Sequence, residues 1–356
     1  MRARRPLLLT WLIVLVTVVT LLVIWSLPGV GATTCETTST PTPFYRYLPL
    51  ISRNYPRPTP EPPPGTWYRY RVIYSITLTR YEGPTRVWMP VPVPWNTQKD
   101  VKVIVYNPEP SDDFIESQGN RVVFWERTLE SGVPSIFSEQ FEVSSLQAQW
   151  QIDEDSVGSY DPADPVLTSY LGSTEFIQTD HQEIQNAART VVGNESNPYV
   201  KARLLFDFVV AHMNGFSPGI NDALGAYRAR QGECGGYSHL FIALCRAVGV
   251  PARPITGIGN LQEGEHHWAK GEVGTHVWAE FYLPNYGWIP ADPIVTDLSD
   301  IDTFGVSLGN RLILSKGSDI ELGHGMTWGI PWFHMPYVNG HQEEGEDLVL
   351  IVEVLD

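Results

Sequence analysis

Cysteine is scarce in this sequence, which has three cysteines, Cys35, Cys234 and Cys245, among 356 residues. Small domains that depend on disulfides carry more cysteines and usually an even number, so a disulfide scaffold is excluded. The fold must therefore be held by packing, and a composition with 43% hydrophobic and 12% aromatic residues can bury a core. With so few of them, each cysteine needs an interpretation of its own.

Positive charge is also in short supply. Lysine and arginine together number 24 against 40 aspartates and glutamates, which gives a formal net charge of −16. Nucleic-acid binding needs lysine and arginine clustered on a surface, and no basic stripe occurs in the sequence beyond the extreme N terminus. We therefore expect no nucleic-acid partner.

The N terminus has a long apolar run. No charged residue occurs between Leu7 and Leu27, and three arginines precede the run. About 20 apolar residues can span a bilayer as a helix, with the positive flank left in the cytoplasm. Residues 1–32 are therefore predicted to be an uncleaved signal anchor or, as the alternative, a signal peptide cleaved near Val30-Gly31-Ala32. Either interpretation predicts an extracytoplasmic protein, anchored to the membrane in the first case and secreted in the second.

The composition changes several times along the chain. Residues 33–65 are rich in threonine and proline, which favours an extended spacer that builds no core. From residue 66, apolar and polar residues alternate in short runs separated by turn residues, which predicts an antiparallel β-sandwich-like domain over 66–150. Residues 151–170 are acidic but lack the spacing and central glycine of an EF-hand, so we expect a solvated linker there.

Helical patterns follow the acidic segment, and strands follow the helices. Capping residues and apolar periodicity predict helices that begin at Thr179 or Asp180, at Asn197, at Asp222 and at Cys234. Strands are predicted at 253–258, 275–283 and 287–290. Helices before strands indicate an α+β fold for a core over residues 171–300, which strands and a tryptophan-rich tail at 301–356 are expected to complete.

Cys234 stands where a glycine-rich turn enters the last of these helices. The unpaired N–H groups and the dipole at a helix N terminus favour negative charge, and therefore a thiolate. The glycines beside it would let a substrate backbone approach closely. Cys245 lies about three helical turns further on, where the field of the N terminus does not reach, and is predicted to be a core residue.

A thiolate nucleophile needs a base, and the base needs an orienting group. His276 opens one predicted strand, and Asp292 follows the next strand along the chain. Two antiparallel strands joined by a short turn can set these two residues side by side. Taken singly, His276 could be a core histidine and Asp292 a turn residue before a proline. All three residues in this order predict a triad of Cys234, His276 and Asp292.

The residues around this triad resemble the core of the transglutaminase-like superfamily. The matching motifs are the Gly232-x-Cys234 helix start, the exit from Arg246 to Arg253, the strand from His276 to Glu280 and the turn from Gly287 to Pro293. The resemblance, which is to a prokaryotic exported member, implies a papain-like fold with Cys234 as nucleophile, His276 as base and Asp292 as orienting residue. It implies no metal and no cofactor, because the calcium sites of animal members are not recognisable in this sequence. Gly235 also stands where animal members have a tryptophan.

The implied activity is thiol-dependent acyl transfer on protein or peptide amides at the cell surface, through a thioester on Cys234. Water as the acceptor would make the protein a peptidase or amidase, whereas an amine would make it a cross-linking transglutaminase, and the sequence leaves both open. One alternative is a non-catalytic cell-surface binding module that retains the fold. Another is a metal hydrolase that uses His266, His267 and His276.

Two further features stay open at the level of the sequence. The backbone N–H of Cys234 is expected to donate to an oxyanion, while Gln231 is one candidate for a second donor. The C-terminal tail contains His324, Trp328, Trp332 and His334. This tail either lines a substrate cleft or caps the sheet.

Overall fold

The computed structural model describes residues 60–356 with the exception of 269–270, 300 and 344–345. The predicted signal anchor or signal peptide (1–32) and most of the predicted spacer (33–65) lie outside these described residues. Within the described residues, no helix is both long enough and apolar enough to cross a membrane.

Antiparallel strands make up the first part of the described chain. They are β1 (Thr66–Leu78), β2 (Gly83–Val91), β3 (Gln98–Asn107), β4 (Asp112–Ile115), β5 (Arg121–Leu129) and β6 (Ser135–Gln149). In β1, every second side chain from Tyr70 to Leu78 is buried. Successive side chains of a strand point to opposite faces, so the alternation in the sequence turns one face of β1 towards a core.

Helices follow these strands. They are α1 (Pro165–Tyr170), α2 (Gln182–Val192), α3 (Pro198–His212), α4 (Ala223–Ala229) and α5 (Cys234–Ala247). The predicted caps occur at α3 and α4, where the side chains of Asn197 and Asp222 accept hydrogen bonds from backbone N–H groups of the first turn. The cap of α2 is His181, one position after the predicted Asp180.

The acidic segment 151–170 is solvated, as its composition predicts, since each of its residues is exposed or half-buried, but it also contains regular local structure. Asp153 caps a short 3-10 turn, and Asp164 caps α1. The hydroxyl of Tyr160 donates to the backbone carbonyl of Tyr282 at 2.7 Å, which attaches the segment to the core. Acidic residues here act as helix caps, a role that depends on position and that overall composition does not reveal.

Strands return after α5. They and one short helix are β7 (Ala252–Ile258), β8 (Gly264–His267), β9 (Thr275–Leu283), β10 (Gly287–Ala291), α6 (Pro293–Leu298), β11 (Val306–Ser307), β12 (Leu312–Lys316), β13 (Tyr337–Val338), β14 (His341–Gln342) and β15 (Asp347–Leu355). The core sheet has the antiparallel order β10-β9-β7-β12.

Helix α5 packs on this core sheet. Its Leu240, Phe241 and Leu244 belong to the same buried apolar cluster as Ala279 and Phe281 of β9. The hydroxyl of Ser238, in the second turn of α5, donates to the carbonyl of Val277 near the start of β9 at 3.0 Å. The N terminus of the buried helix therefore lies beside the beginning of β9.

The remaining strands form a sandwich in the described part of the chain. One sheet has the order β11-β6-β1-β15-β8, with β3 also paired to β6, and the other has the order β14-β13-β2-β5-β4. Side chains from both sheets share one buried cluster, for example Tyr74, Val87, Trp125 and Phe141. The prediction of an α+β fold with antiparallel sandwich-like sheets before the core is confirmed.

The residues after 301 do more than complete the core. Strand β12 joins β7 in the core sheet, as expected, but β13 pairs with β2 and β15 pairs with β1. Strand β15 lies between β1 and β8. Its buried residues Leu348, Leu350 and Val352 belong to the cluster of the sandwich. The C-terminal strand thus extends the first sheet, because burial of its apolar face decides its place and sequence position does not.

Candidate active site

Cys234 is the first residue of α5 and is half-buried. The carboxylate of Glu233, the residue before it, is directed to the loop ahead of α4. It accepts hydrogen bonds from the backbone N–H of Gly219 at 2.5 Å and from the side-chain amide of Asn221 at 2.8 Å. With that carboxylate engaged, the N–H of Cys234 is available to a developing negative charge.

The glycines after Cys234 correct one expectation from the sequence. Gly235 and Gly236 are buried. A Cβ on Gly235 would lie 2.4 Å from Oδ1 of Asn221, and a Cβ on Gly236 would lie 2.6 Å from the carbonyl oxygen of Ile220. The space beside these glycines is therefore occupied by the loop at Ile220 and Asn221 of this chain, and not by a substrate backbone. The same crowding leaves no room for a side chain at Gly235.

His276 lies on β9 and contacts the other two predicted residues. Its Nε2 is 2.7 Å from Oδ2 of Asp292. The thiol of Cys234 also lies close enough to the imidazole to raise its pKa. Since Nε2 faces Asp292, Nδ1 is the nitrogen left for the sulfur. Gly259 permits this arrangement, because a Cβ at that position would lie 2.7 Å from the Cβ of His276.

Asp292 is 1% exposed and is held by several partners at the start of α6. Its Oδ1 accepts from the N–H of Val295 at 3.4 Å, and its backbone carbonyl accepts from the hydroxyl of Thr303 at 2.5 Å. The carboxylate oxygen that faces His276 also accepts a hydrogen bond from Nη2 of Arg311. The orientation of the carboxylate is therefore determined from several sides.

The charges of these groups depend on one another. Burial lowers the pKa of His276, but the negative charge of Asp292 and the hydrogen bonds to Asp292 and Cys234 outweigh it and raise that pKa to about 9. Burial by itself would raise the pKa of Asp292, yet His276 and Arg311 hold it below its ordinary value. At neutral pH the pair is therefore an imidazolium and a carboxylate.

Arg311, which precedes β12, is a residue of the site that the sequence motifs do not reveal. Its guanidinium carbon lies 4.8 Å from the centroid of the Trp278 ring. The ring of His276 stacks against the same tryptophan, with centroids 5.9 Å apart and an interplanar angle of 20°. The sequence offers one hint, a charged residue at the entrance to the apolar strand that becomes β12.

The remaining sequence candidates lie elsewhere. His266 and His267 are on β8, which pairs with β15, whereas His276 is on β9. Across the described residues, no group of three or more histidines, cysteines, aspartates and glutamates is arranged to hold a metal ion. Gln231 is exposed. Cys245 is fully buried, and burial raises the pKa of its thiol well above the ordinary value.

The tryptophan-rich tail adjoins the site. The ring of Trp332 packs edge-on against Phe176 with centroids 4.9 Å apart, and it stacks at 6.3 Å over His239 of α5. His334 is 7% exposed. Burial, and then the positive charge of His276, lower the pKa of His334 to about 4. The tail therefore contacts α5 and approaches His276, and both sequence interpretations of it, as the lining of a substrate cleft or as a cap on the sheet, stay predictions.

Comparisons with known proteins agree with this geometry. The profile of the transglutaminase-like superfamily matches residues 185–293, a range that includes Cys234, His276 and Asp292. An uncharacterised protein of Haemophilus influenzae is 25% identical over 256 residues, which cover 63% of this chain and 68% of that protein. A protein-glutamine gamma-glutamyltransferase of Pseudomonas aeruginosa is 31% identical over 77 residues, which cover 21% of this chain and 11% of that protein.

One solved structure extends the likeness beyond the core. It is that of a protein from Cytophaga hutchinsonii described as a candidate cysteine protease, with a TM-score of 0.58 and 20% sequence identity. The superposition covers 82% of this chain and 92% of that chain, and it shows a shared fold. Residues 185–293 of this chain therefore match the transglutaminase-like superfamily, and they contain all three residues of the predicted triad.

Proposed function

We propose that this protein carries out thiol-dependent acyl transfer on protein or peptide amides, with Cys234 as nucleophile, His276 as acid and base, and Asp292 as orienting residue. The observation that supports this most is that the imidazole of His276 bonds to the carboxylate of Asp292 at 2.7 Å and lies close enough to Cys234 for the thiol to affect its pKa. A thiol, an imidazole and a carboxylate in one hydrogen-bonded row are what a thioester mechanism requires. The sulfur is half-buried, so a substrate carbonyl can reach it.

The reaction has two halves. In the first, the thiolate of Cys234 attacks the carbonyl carbon of an amide, and the imidazolium of His276 gives its proton to the leaving amine or ammonia. A thioester on Cys234 and a neutral imidazole result. In the second, a water or amine gives a proton to His276 as it attacks the thioester, and the thiolate of Cys234 leaves. The product is a carboxylic acid or a new amide, and the imidazolium is restored.

The molecule that accepts the acyl group from the thioester determines which activity the enzyme has. Water gives a peptidase or amidase, and an amine gives a cross-linking enzyme. The names of the similar proteins point in both directions, since one is a protein-glutamine gamma-glutamyltransferase and another a candidate cysteine protease. The thioester chemistry is common to both, and it is the part of the proposal that the contacts of Cys234 support. A non-catalytic binding module would not need a half-buried cysteine beside an imidazole that is bonded to a buried carboxylate.

We further propose that the active site faces the extracytoplasmic side of a membrane. The support is the uncharged run from Leu7 to Leu27 with arginines before it. The spacer at 33–65 would hold the enzyme away from the bilayer. Proteins and peptides of the cell surface would then be the substrates within reach.

Selective alkylation tests the nucleophile. The purified full chain is treated with iodoacetamide, and the modified cysteines are identified by mass spectrometry. We expect Cys234 to be alkylated well before Cys245, at a rate that falls as the pH drops and the thiolate is protonated. A Cys245→Ser variant should behave as the parent does, and Cys234→Ser should lose the fast reaction. Equal reaction of both cysteines, or of neither, would contradict the proposal.

A second assay separates the two acceptors. A glutamine-containing peptide is incubated with the enzyme in the presence and absence of a fluorescent primary amine. Attachment of the amine to the peptide indicates cross-linking, whereas release of ammonia or peptide cleavage without attachment indicates hydrolysis. The Cys234→Ser variant should give neither product, and any product that it gives in full yield would contradict the role of Cys234.

A further inference from the structure

The carboxylate of Asp292 is shared between two cations. Its Oδ2 faces Nε2 of His276 at 2.7 Å and also accepts from Nη2 of Arg311. The side chains of Arg311 and Asp292 are 7% and 2% exposed, so water screens this contact weakly. Arg311 comes from the segment before β12, 19 residues after Asp292 and outside the motifs around the triad.

Three other groups of the described residues influence His276. Asp292 bonds to it, Cys234 of α5 lies close enough to raise its pKa, and His334 approaches from the segment before β13. His334 is neutral at neutral pH because burial, followed by the charge of His276, lowers its pKa to about 4. The positive charge of Arg311 opposes that of the imidazolium and lowers the pKa of His276.

We propose that Arg311 is a positioning residue that divides the charge of Asp292 between itself and His276, so that the imidazole can give up its proton during turnover. This inference rests on the proposed function. It concerns a residue that acts through Asp292 and does not touch the substrate.

The two halves of the reaction place opposite demands on His276. Formation of the thioester needs a protonated imidazole, and its breakdown needs a neutral one to accept a proton from water or an amine. A carboxylate bonded to His276 without competition would hold the proton too firmly for the second half. A permanent cation on the same carboxylate oxygen limits that effect, and Trp278 holds this cation in place by stacking with Arg311.

Arg311→Gln is the first test, and Arg311→Met is the second. Both remove the charge, and Asp292 keeps His276 and the N–H of Val295 as partners. The titration midpoint of His276 is measured by NMR of the imidazole in the full chain, with His276→Gln to assign the signal. We expect the midpoint to rise in both variants. Arg311→Lys should bring it back towards the value of the parent, because lysine restores the charge.

Burst kinetics test the consequence for turnover. With p-nitrophenyl acetate, the burst reports formation of the thioester and the steady state reports its breakdown. We expect Arg311→Gln to keep the burst and to slow the steady state at pH 7. The slowing should be about tenfold for each pH unit by which the midpoint rises, since the fraction of neutral imidazole falls by that factor. The optimum of the steady-state rate should move to higher pH.

Arg253 provides a matched control. It is a buried arginine that bonds to Glu280 of the core sheet and stacks over Trp288 at 3.8 Å. Arg253→Gln removes an equivalent ion pair from the same sheet, but Glu280 does not bond to the triad. We expect the midpoint of His276 to be the same in Arg253→Gln as in the parent.

Each outcome has a definite meaning. If the midpoint of His276 and the steady-state rate stay at parent values in Arg311→Gln, or shift equally in Arg253→Gln, the role of Arg311 is refuted while the triad stands. If both charge-removing variants fail to fold while Arg311→Lys folds, the residue is needed for the fold and the proposal is likewise refuted. If the parent shows no burst and Cys234 is inert to iodoacetamide, the proposed function fails instead.

Discussion

Among the described residues, two buried arginine–carboxylate pairs lie in or beside the core sheet, and they are built from the same parts. The first, here called the sheet cluster, consists of Arg253, Glu280 and Trp288. Arg253 and Glu280 are directly opposite each other on β7 and β9, and Nε and Nη2 of the arginine donate to one carboxylate oxygen at 2.9 and 2.7 Å. The guanidinium carbon lies 3.8 Å from the centroid of the Trp288 ring.

The second pair, here called the triad cluster, consists of Arg311, Asp292, Trp278 and His276. Its arginine also bonds to a carboxylate and stacks on a tryptophan, at 4.8 Å. The carboxylate, however, also accepts from an imidazole whose other nitrogen faces a thiol. In the sheet cluster the ion pair satisfies two buried charges. In the triad cluster the same kind of pair also controls where a proton resides.

Neutralising the carboxylates should separate the clusters most strongly. In Asp292→Asn the imidazole loses its orienting partner and the charge that stabilises its protonated form. We expect steady-state turnover of p-nitrophenyl acetate to fall by about 10²–10⁴, the range of a general acid–base contribution. Glu280→Gln, measured per folded molecule, is the control, and a loss of the same size in that variant would erase the distinction between the clusters.

Replacing the arginines should affect stability more in the sheet cluster than in the triad cluster, which is the opposite of the order expected for turnover. Arg253→Met leaves Glu280 buried beside no guanidinium, which we expect to lower the free energy of unfolding by about 3–5 kcal/mol. Arg311→Met should lower it less, because Asp292 keeps the imidazolium of His276 as a partner. Urea unfolding at pH 7, followed by circular dichroism, measures both values. Equal losses would mean that His276 does not compensate the charge of Asp292.

The contributions of the two regions to the free energy of unfolding should also change with pH in opposite directions. The pKa of His276 is raised from 6.5 to about 9, so the folded state binds that proton more tightly than the unfolded state. Its contribution to stability is fully present below pH 6.5 and is lost as the pH rises through 9. The total loss is on the order of 3 kcal/mol. The free energy of unfolding of the parent minus that of His276→Gln should therefore decrease between pH 7 and 9.

Lys316, close to the sheet cluster, should show the reverse. Burial, and then the charge of Arg253, lower its pKa from 10.5 to about 6, so the folded state binds its proton less tightly than the unfolded state does. Stability should therefore increase with pH above 6. The difference between the parent and Lys316→Met, measured by urea unfolding at several pH values, should rise where that for His276→Gln falls. If both stability differences changed with pH in the same direction, either His276 would not be stabilised by Asp292 or Lys316 would not be destabilised by burial and Arg253.

Much of the local structure could be predicted from the sequence, because caps and periodicity act over a few residues. Asn197 and Asp222 cap the helices that they were expected to cap. The alternation in β1 matches its burial. Within the solvated segment 151–170, the acidic composition did not reveal the short helix α1, which Asp164 caps.

The candidate site, too, could be predicted from the sequence only in part. Cys234, His276 and Asp292 could be nominated from the sequence, because a helix start and a hairpin bring residues at known spacings together. Arg311 could not, because its contact with Asp292 depends on β12 packing against β7 and on no motif. Neither could the reason for Gly235, whose neighbour is Asn221 in a loop that precedes it in the chain.

The sequence by itself determined which residue types stand at the helix start, along β9 and after β10, and with them the match of residues 185–293 to the transglutaminase-like superfamily. The tertiary structure decided how strongly the proton of His276 is held, where the C-terminal strand lies and which glycines pack against another segment of the chain. The physical reason is the separation along the chain over which each interaction acts. Caps, turns and alternation act between residues close in sequence, whereas burial and the electric field at a side chain are set by whatever the fold brings next to it.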